Sequence, residues 1–454
     1  MVVQKVNGDD EDKELVVIDE MYDLIENESV YETDESKLVE GALRGMANAI
    51  KDPYSTYYSE EEAKVHEASL AGEKIGIGIE IANQNGKFVI ISPIKGSPAE
   101  KAGVKPLDEL VQVDEVKVTG KTMQEVMQLL QGDEGEEVSL VLYRQSIDQH
   151  IKLKVKREEM KSISVSSKVI PVLDEKIGHV MIHIFAENTL EQWTEEISKI
   201  QKEDIDALII DVRDNPGGYL HSVAGVLSTL EKENVTFAYM QNGKGEMEEM
   251  KTVEVDGLEE MKKQLNKWPT IVLQNEGSAS ASEVLTGALQ TWQRAVIVGA
   301  KSFGKGTVQK SWDLSNGGQV KLSTSKWLTP KKDWIHHVGL EPDIPVEQHI
   351  AYQIERAVLS GTFKEGDFSE EVAYAQRVLF ALGYNVAKDD GYFDEHFGRI
   401  VSQFREDHDL TEGETLDEQV FEKMQVKLQE FKDDPDNDLQ LQMGISFLMH
   451  ELGN

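Results

Sequence analysis

Asn275-Glu-Gly-Ser-Ala-Ser-Ala-Ser-Glu283 sets three hydroxyl groups at alternate positions between two different sequence patterns. Before it, Pro269-Thr-Ile-Val-Leu-Gln274 is a short apolar run of strand type. After it, Val284, Leu285, Ala288 and Leu289 recur at helical spacing. Backbone amides at a helix start have no partner within the helix and carry partial positive charge. A serine on such a strand-to-helix turn can therefore act as a nucleophile beside donors able to hold an oxyanion. Serines are also preferred helix N-caps, and the stretch taken alone favours that blander role.

Two further stretches carry groups of complementary chemistry. Asp211-Val-Arg-Asp-Asn-Pro-Gly-Gly218 ends a strand in a glycine pair. Glycine lets backbone amides approach a ligand closely, and in open α/β sheets ligands sit at the carboxyl ends of strands. Ser302-Phe-Gly-Lys-Gly-Thr-Val-Gln309 places Lys305 between two glycines, with Gln309 four residues on. In an extended segment those two side chains share a face. A serine hydroxyl needs a base to become a nucleophile. A solvated lysine, with a pKa of about 10.4, is protonated, but burial disfavours its charge and makes it a candidate base. Gly299, Gly304 and Lys305 also begin a phosphate-binding loop; Gly306 then stands where that motif requires Ser or Thr, so phosphate binding is set aside.

The chain that must position these groups has 454 residues, enough for two to four domains. Its 84 acidic against 47 basic side chains give a net charge of −37, which makes nucleic acid and anionic lipid poor partners. The absence of cysteine excludes disulfides, thiol catalysis and cysteine–metal sites. No apolar run reaches the roughly 18 residues of a membrane span. Met1-Val-Val-Gln lacks a signal-peptide pattern, so the protein is either cytoplasmic or has a leader outside this sequence.

Residues 1–70 are expected as a helical N-terminal arm, with apolar periodicity from Leu15 to Ile25 and from Val39 to Ile50, serving packing or dimerisation. Residues 71–158 read as a β-rich unit with a hairpin turn at Asn85-Gly86 and a short capped helix over Ser97–Gly103. Its order, with an apolar glycine loop opening a strand, resembles a PDZ domain. The resemblance implies that Gly76, Ile77 and Gly78, with Ile79 and Ile81 beside them, bind the carboxylate end of a peptide added as a strand. Leu107 departs from the pattern, since glycine is common there. From 159 to 350 strands alternate with helices, which argues a mostly parallel sheet faced by helices; 243–264 is charged and expected as a surface insertion. Residues 368–430 form an all-α unit whose Leu382-Gly-Tyr384 and Asp390-Gly-Tyr-Phe-Asp394 resemble a peptidoglycan-binding-like three-helix domain. The two aspartates are read as structural, because EF-hand spacing is absent. Residues 431–454 read as an acidic tail with a short helix. The fold class is multi-domain α/β.

Taken together, N-x-G-S-A-S-A-S-E, F-G-K-G-T-V-Q, D-x-R-x-N-P-G-G and the PDZ unit resemble the carboxyl-terminal processing, or tail-specific, serine proteases. Asp52-Pro-Tyr-Ser-Thr-Tyr57, Phe185-Ala-Glu-Asn-Thr189 and Gly339-Leu-Glu-Pro-Asp343 extend the resemblance over residues 15–350. It implies that Ser280 is the nucleophile, Lys305 the general base and Gln309 the residue that orients Lys305. The amides of Gly218 and Ala281 would form the oxyanion hole, and Ser278 and Ser282 would be turn and cap residues. It implies an extracytoplasmic endopeptidase without cofactor or metal, a PDZ unit that reads free C-termini and gates activity, a homodimer, and peptidoglycan as a partner of the terminal domain. A Ser280–His221–Asp211 triad, an S-x-x-K site at Ser323–Lys326 and a metal site at His336-His337 are weaker readings. At the level of function the rivals are a non-enzymatic PDZ and cell-wall binding scaffold and a cell-wall hydrolase.

Overall fold

A computed structural model describes residues 13–64, 73–84, 87–93, 97–105, 108–121, 123–144, 149–161, 163–354 and 361–453. Asn85-Gly86, Leu107 and the first 12 residues lie outside them. The chain forms two compact units. One comprises 1–67, 240–248 and 306–328, and the other 68–239, 249–305 and 329–454.

In the first unit, helices Lys13–Glu28 and Glu35–Ala49 precede the strand Thr56–Tyr58. This strand runs antiparallel to Gln319–Leu328, which also pairs with Thr307–Asp313. Tyr57 is buried and its hydroxyl accepts from Asn316 Nδ2 at 2.9 Å. Strand pairing thus explains why segments far apart in sequence share this unit.

The second unit is built on a six-stranded sheet in the order 165–172, 175–182, 207–211, 270–274, 296–299 and 344–345. The first pair is antiparallel and the rest parallel. Ala207–Asp211 and Thr270–Gln274 are buried at every position, as strands covered on both faces must be. Leu208, Ile210, Val272 and Ile297 point one way along the pleat, and helices Thr189–Gln201, Leu220–Leu230 and Ala281–Thr291 pack beside one another. On the other face Ala207, Ile209, Ile271, Leu273 and Val298 meet Leu441, Ile445, Leu448 and Met449 of the helix Leu439–Leu452. The short helix expected in the terminal segment is therefore a structural cover for the sheet. The charged stretch 243–264 contains the strand Met247–Lys251 and most of the helix Glu259–Leu265, whose Met261 and Leu265 are buried.

The same unit contains the β-rich domain, with strands in the order 79–84, 87–93, 109–113, 137–144 and 149–156 around Phe88, Ile90, Leu110, Val126 and Leu140. Ile79–Gln84 is at the edge of this sheet. Gly76 is the last residue of the strand Glu73–Gly76, and Ile77 packs into the core at 2% exposure. The turn is thus reduced to Ile77 and Gly78, whose carbonyls accept from Ala99 N at 2.8 Å and Ser97 Oγ at 3.0 Å. Ile79 and Ile81 pack, partly buried, against the core. The all-α unit has helices Glu370–Ala381, Glu395–Asp407 and Glu418–Asp433 around Phe393, Phe397, Phe404 and Met424. Its Asp390 and Asp394 flank Lys388, and Asp394 caps the helix after it. Among the described residues no helix is long and apolar enough to cross a membrane.

Candidate active site

The strand Thr270–Gln274 enters the serine turn and the helix Ala281–Thr291 leaves it. Two of the three serines hold the turn together. Ser278 Oγ donates to Val212 O at 2.7 Å and accepts from Asn275 N at 3.0 Å. Ser282 Oγ donates to Asn215 O at 3.0 Å. Both are fully buried, whereas Ser280 is partly exposed. Ser280 also has φ 55° and ψ −112°. A non-glycine residue in such a sparsely populated region costs about 1–3 kcal/mol and persists only where its surroundings enforce it.

The glycine loop supplies part of that enforcement. Asn215 is buried; its Nδ2 donates to Ile182 O, its Oδ1 accepts from Gly217 N, and its carbonyl accepts from Ala279 N. Gly217 has φ 107°, and a Cβ on it would lie 2.8 Å from Ser280 Cβ and 3.0 Å from Ala281 N. Gly218 has φ 141°, and its Cβ would collide with Phe185 O. Only glycine allows this backbone to lie against Ser280. Ala281 is the first residue of its helix, so its amide has no acceptor there.

The third element is joined to the turn by Glu283. This carboxylate is fully buried and accepts from Ser302 Oγ at 2.6 Å, Gly304 N at 2.7 Å, Lys305 N at 2.8 Å and Ser280 N at 2.9 Å. Lys305 N and Ser280 N bind the same oxygen, so the structure brings these two backbones together. Phe303 N donates to Ser278 O, and His337 N to Gly304 O. Burial pushes the Glu283 carboxyl above its ordinary value, against the opposing pull of the Ser302 hydroxyl and the three amides. The serine motif contains Glu283 with no role assigned to it from sequence; the spacing Ser280-x-x-Glu283, that of a capping box, is the signal for one.

Gln309 lies in the other unit, on the strand Thr307–Asp313, where its Nε2 donates to Thr307 Oγ1 and Ser323 Oγ, both at 3.0 Å. The shared face expected for Lys305 and Gln309 presumes an extended segment through both residues. Regular strand begins only at Thr307, two residues after Lys305, and the pairing beside Gln309 slips around an extra residue, Thr324, on the partner strand.

The histidine triad is not assembled. His221 is exposed, stacks on Tyr219 and pairs with Glu187 at 2.9 Å. Asp211 is instead held by His179 Nε2 at 2.9 Å and by Arg213. Burial alone would raise the Asp211 carboxyl, but Arg213 and His179 hold it far below the ordinary carboxylate range. Ser323–Lys326 is strand, without the helix start that an S-x-x-K site needs. His336 stacks on Trp334 and leans on His337.

Residues 176–346 match peptidase family S41, residues 89–144 a PDZ domain, and residues 2–62 the N-terminal domain of the activating protease CtpB. The carboxy-terminal processing protease CtpB of Bacillus subtilis is 34% identical over 437 residues, spanning 96% of this chain and 89% of that protein. The chain belongs to the carboxy-terminal processing proteases of peptidase family S41. CtpA of the same organism is also 34% identical, over 435 residues, covering 96% of this chain and 90% of that protein. Among solved structures, the photosystem II D1 C-terminal processing protease is 25% identical, covers 72% of this chain and 85% of its own, and superposes with a TM-score of 0.44. The chain is therefore a serine-type peptidase with a PDZ domain, acting on protein or peptide substrates.

Proposed function

We propose that this carboxy-terminal processing protease works through Ser280 and Lys305. The observation that carries the reading is the Glu283 carboxylate, one oxygen of which binds both Ser280 N and Lys305 N. Nucleophile and base are then tied to one rigid anchor, which keeps their mutual position from drifting. Lys305 Nζ takes the proton from Ser280 Oγ as the oxygen adds to the scissile carbonyl. The amides of Gly218 and Ala281 receive the oxyanion. Protonated Lys305 returns its proton to the departing amine as the C–N bond breaks, leaving an acyl ester on Ser280. Lys305 then deprotonates a water that adds to the ester, and returns that proton to Ser280 Oγ as the C–O bond breaks.

The edge strand Ile79–Gln84, paired on one side only among the described residues, supports strand addition of a substrate's C-terminal segment, with the Ile77–Gly78 turn beside it as the carboxylate site. Capture there is proposed to gate hydrolysis. Exposed Val17, Met21, Leu24 and Tyr31 on and after the first helix support the arm as a dimerisation surface. Exposed Phe368 and Tyr392 support the all-α unit as a platform for peptidoglycan sugars. That role and the proposed extracytoplasmic setting are consistent with each other, and cell fractionation checks the setting.

The deciding assay is cleavage of casein by the parent, Ser280→Ala and Lys305→Ala, with binding of a free-carboxylate and an amidated peptide measured alongside. Turnover should fall at least about 10³-fold in both variants while the free-carboxylate peptide still binds. Near-parent turnover by Lys305→Ala sinks the dyad.

A further inference from the structure

The loop against Ser280 is gripped at both ends. Its glycine end is fixed by Phe185 and Asn215. Its other end carries Arg213, whose guanidinium lies between two carboxylates. Nη2 and Nε donate to Asp211 at 2.7 and 3.0 Å. Nη1 and Nη2 donate to Asp438 Oδ1 and Oδ2 at 2.8 and 2.9 Å. The second pair is bidentate, a geometry that fixes orientation as well as distance.

Asp438 is itself held firmly. It is the N-cap of the helix Leu439–Leu452, accepting from Leu441 N at 3.0 Å, and it accepts from Gln348 Nε2 at 2.6 Å. The helix is anchored in turn by Leu441, Ile445 and Leu448 on the sheet. Side-chain exposures of 14% for Arg213 and 10% for Asp438 place the pair largely out of water. Removing Arg213 would leave the Asp438 charge uncompensated, whereas removing Asp438 leaves Arg213 to Asp211 alone. A cavity of about 710 Å³ lies alongside, lined in part by Arg213, Asp214, Asn275, Gln348 and Gln440. On this side the ion pairs act beside the buried Val212 and the bond from Asp214 N to Asn275 Oδ1 at 2.9 Å. Two residues beyond Arg213, the Asn215 carbonyl receives Ala279 N and Ser282 Oγ, the neighbours of Ser280.

We propose that Asp438 is a positioning residue for the protease reaction: mounted on the helix that covers the sheet, it fixes Arg213 and through it the backbone beside Ser280. The inference rests on reading Ser280 as the nucleophile and the glycine loop as its oxyanion partner. It makes a segment far downstream of the family's protease region a requirement for fast chemistry.

The test compares the full chain with Asp438→Asn, which keeps the cap acceptor and removes the charge, and with Asp438→Glu, which restores it. Steady-state cleavage, thermal melting and amide hydrogen exchange are measured on each. Asp438→Asn should lower kcat about 10-fold or more with KM changed less than about twofold, and should speed exchange over 211–218. Asp438→Glu should recover part of kcat. Adding Arg213→Lys to Asp438→Asn should cost little more, because both act through one link. Unchanged kcat in a folded Asp438→Asn, or faster exchange confined to 434–452, overturns the proposal, since a plain helix cap would behave so. Failure of the underlying reading shows separately, as turnover that survives Ser280→Ala.

Discussion

Two helix starts in this protein look alike in sequence and differ in structure. Asp394 precedes the helix Glu395–Asp407, and Ser280 precedes the helix Ala281–Thr291. Each is a favoured N-cap type. Asp394 has extended φ −94° and ψ 170°, and its carboxylate accepts from Phe397 N at 2.8 Å. That is an ordinary cap, finished by its own side chain. Ser280 has φ 55°, and its own amide is held by the carboxylate of Glu283 three residues on. Glu283 also reaches out to Ser302, Gly304 and Lys305. The first start closes a local account of hydrogen bonds, whereas the second recruits a distant loop and holds a strained residue. A cap motif whose acidic member also grips another segment is a sign of chemistry.

The comparison is broken most forcefully at Glu283. Glu283→Ala should lower kcat on the order of 10²-fold, since it frees the Lys305 loop from the serine turn. It should also cost about 1–3 kcal/mol for each buried donor left without an acceptor. Turnover and denaturant melts measure the two together, and a stability loss without a kcat loss would reduce Glu283 to a scaffold. A smaller effect is expected with pH. The folded-state pKa of Glu283 lies above its ordinary value, so the native state holds this proton longer than the unfolded chain. Stability should therefore fall as pH rises through the window just above the ordinary glutamate range. Activity should rise through the same window, as the ionised carboxylate takes up its donors. Glu283→Gln should flatten both trends; a pH–rate profile and melts across that window check it. The smallest effect belongs to the ordinary cap: Asp394→Ala should cost about 1 kcal/mol of stability and leave casein turnover as it was.

The parts of the fold that repeat along the chain were legible in sequence. Continuous apolar runs such as Ala207–Ile210 and Ile271–Leu273 announced buried parallel strands, and the glycine pair at 217–218 announced close backbone approach. What escaped was non-local or irregular. Arg213 and Asp438 are 225 residues apart, and no periodicity links a single polar pair across that span. The slip in pairing at Thr324, opposite Val308 and Gln309, carries no glycine and so gave no warning in the sequence. The helix Glu259–Leu265 hid in a charged stretch because two buried side chains, Met261 and Leu265, suffice to dock so short an element. Ser280 could be separated from Ser278 and Ser282 only by resemblance, because the carbonyls of Val212 and Asn215 that receive the other two hydroxyls lie more than 60 residues away in sequence.

The order of synthesis gives the terminal helix a further meaning. Every strand of the sheet emerges before Leu439–Leu452 does. Until that helix docks, the face carrying Ile209, Ile271 and Leu273 is bare, and the grip of Asp438 on Arg213 is missing. A growing chain that already contains Ser280 and Lys305 thus has an adhesive, unfinished sheet, a state that calls for shielding by chaperones.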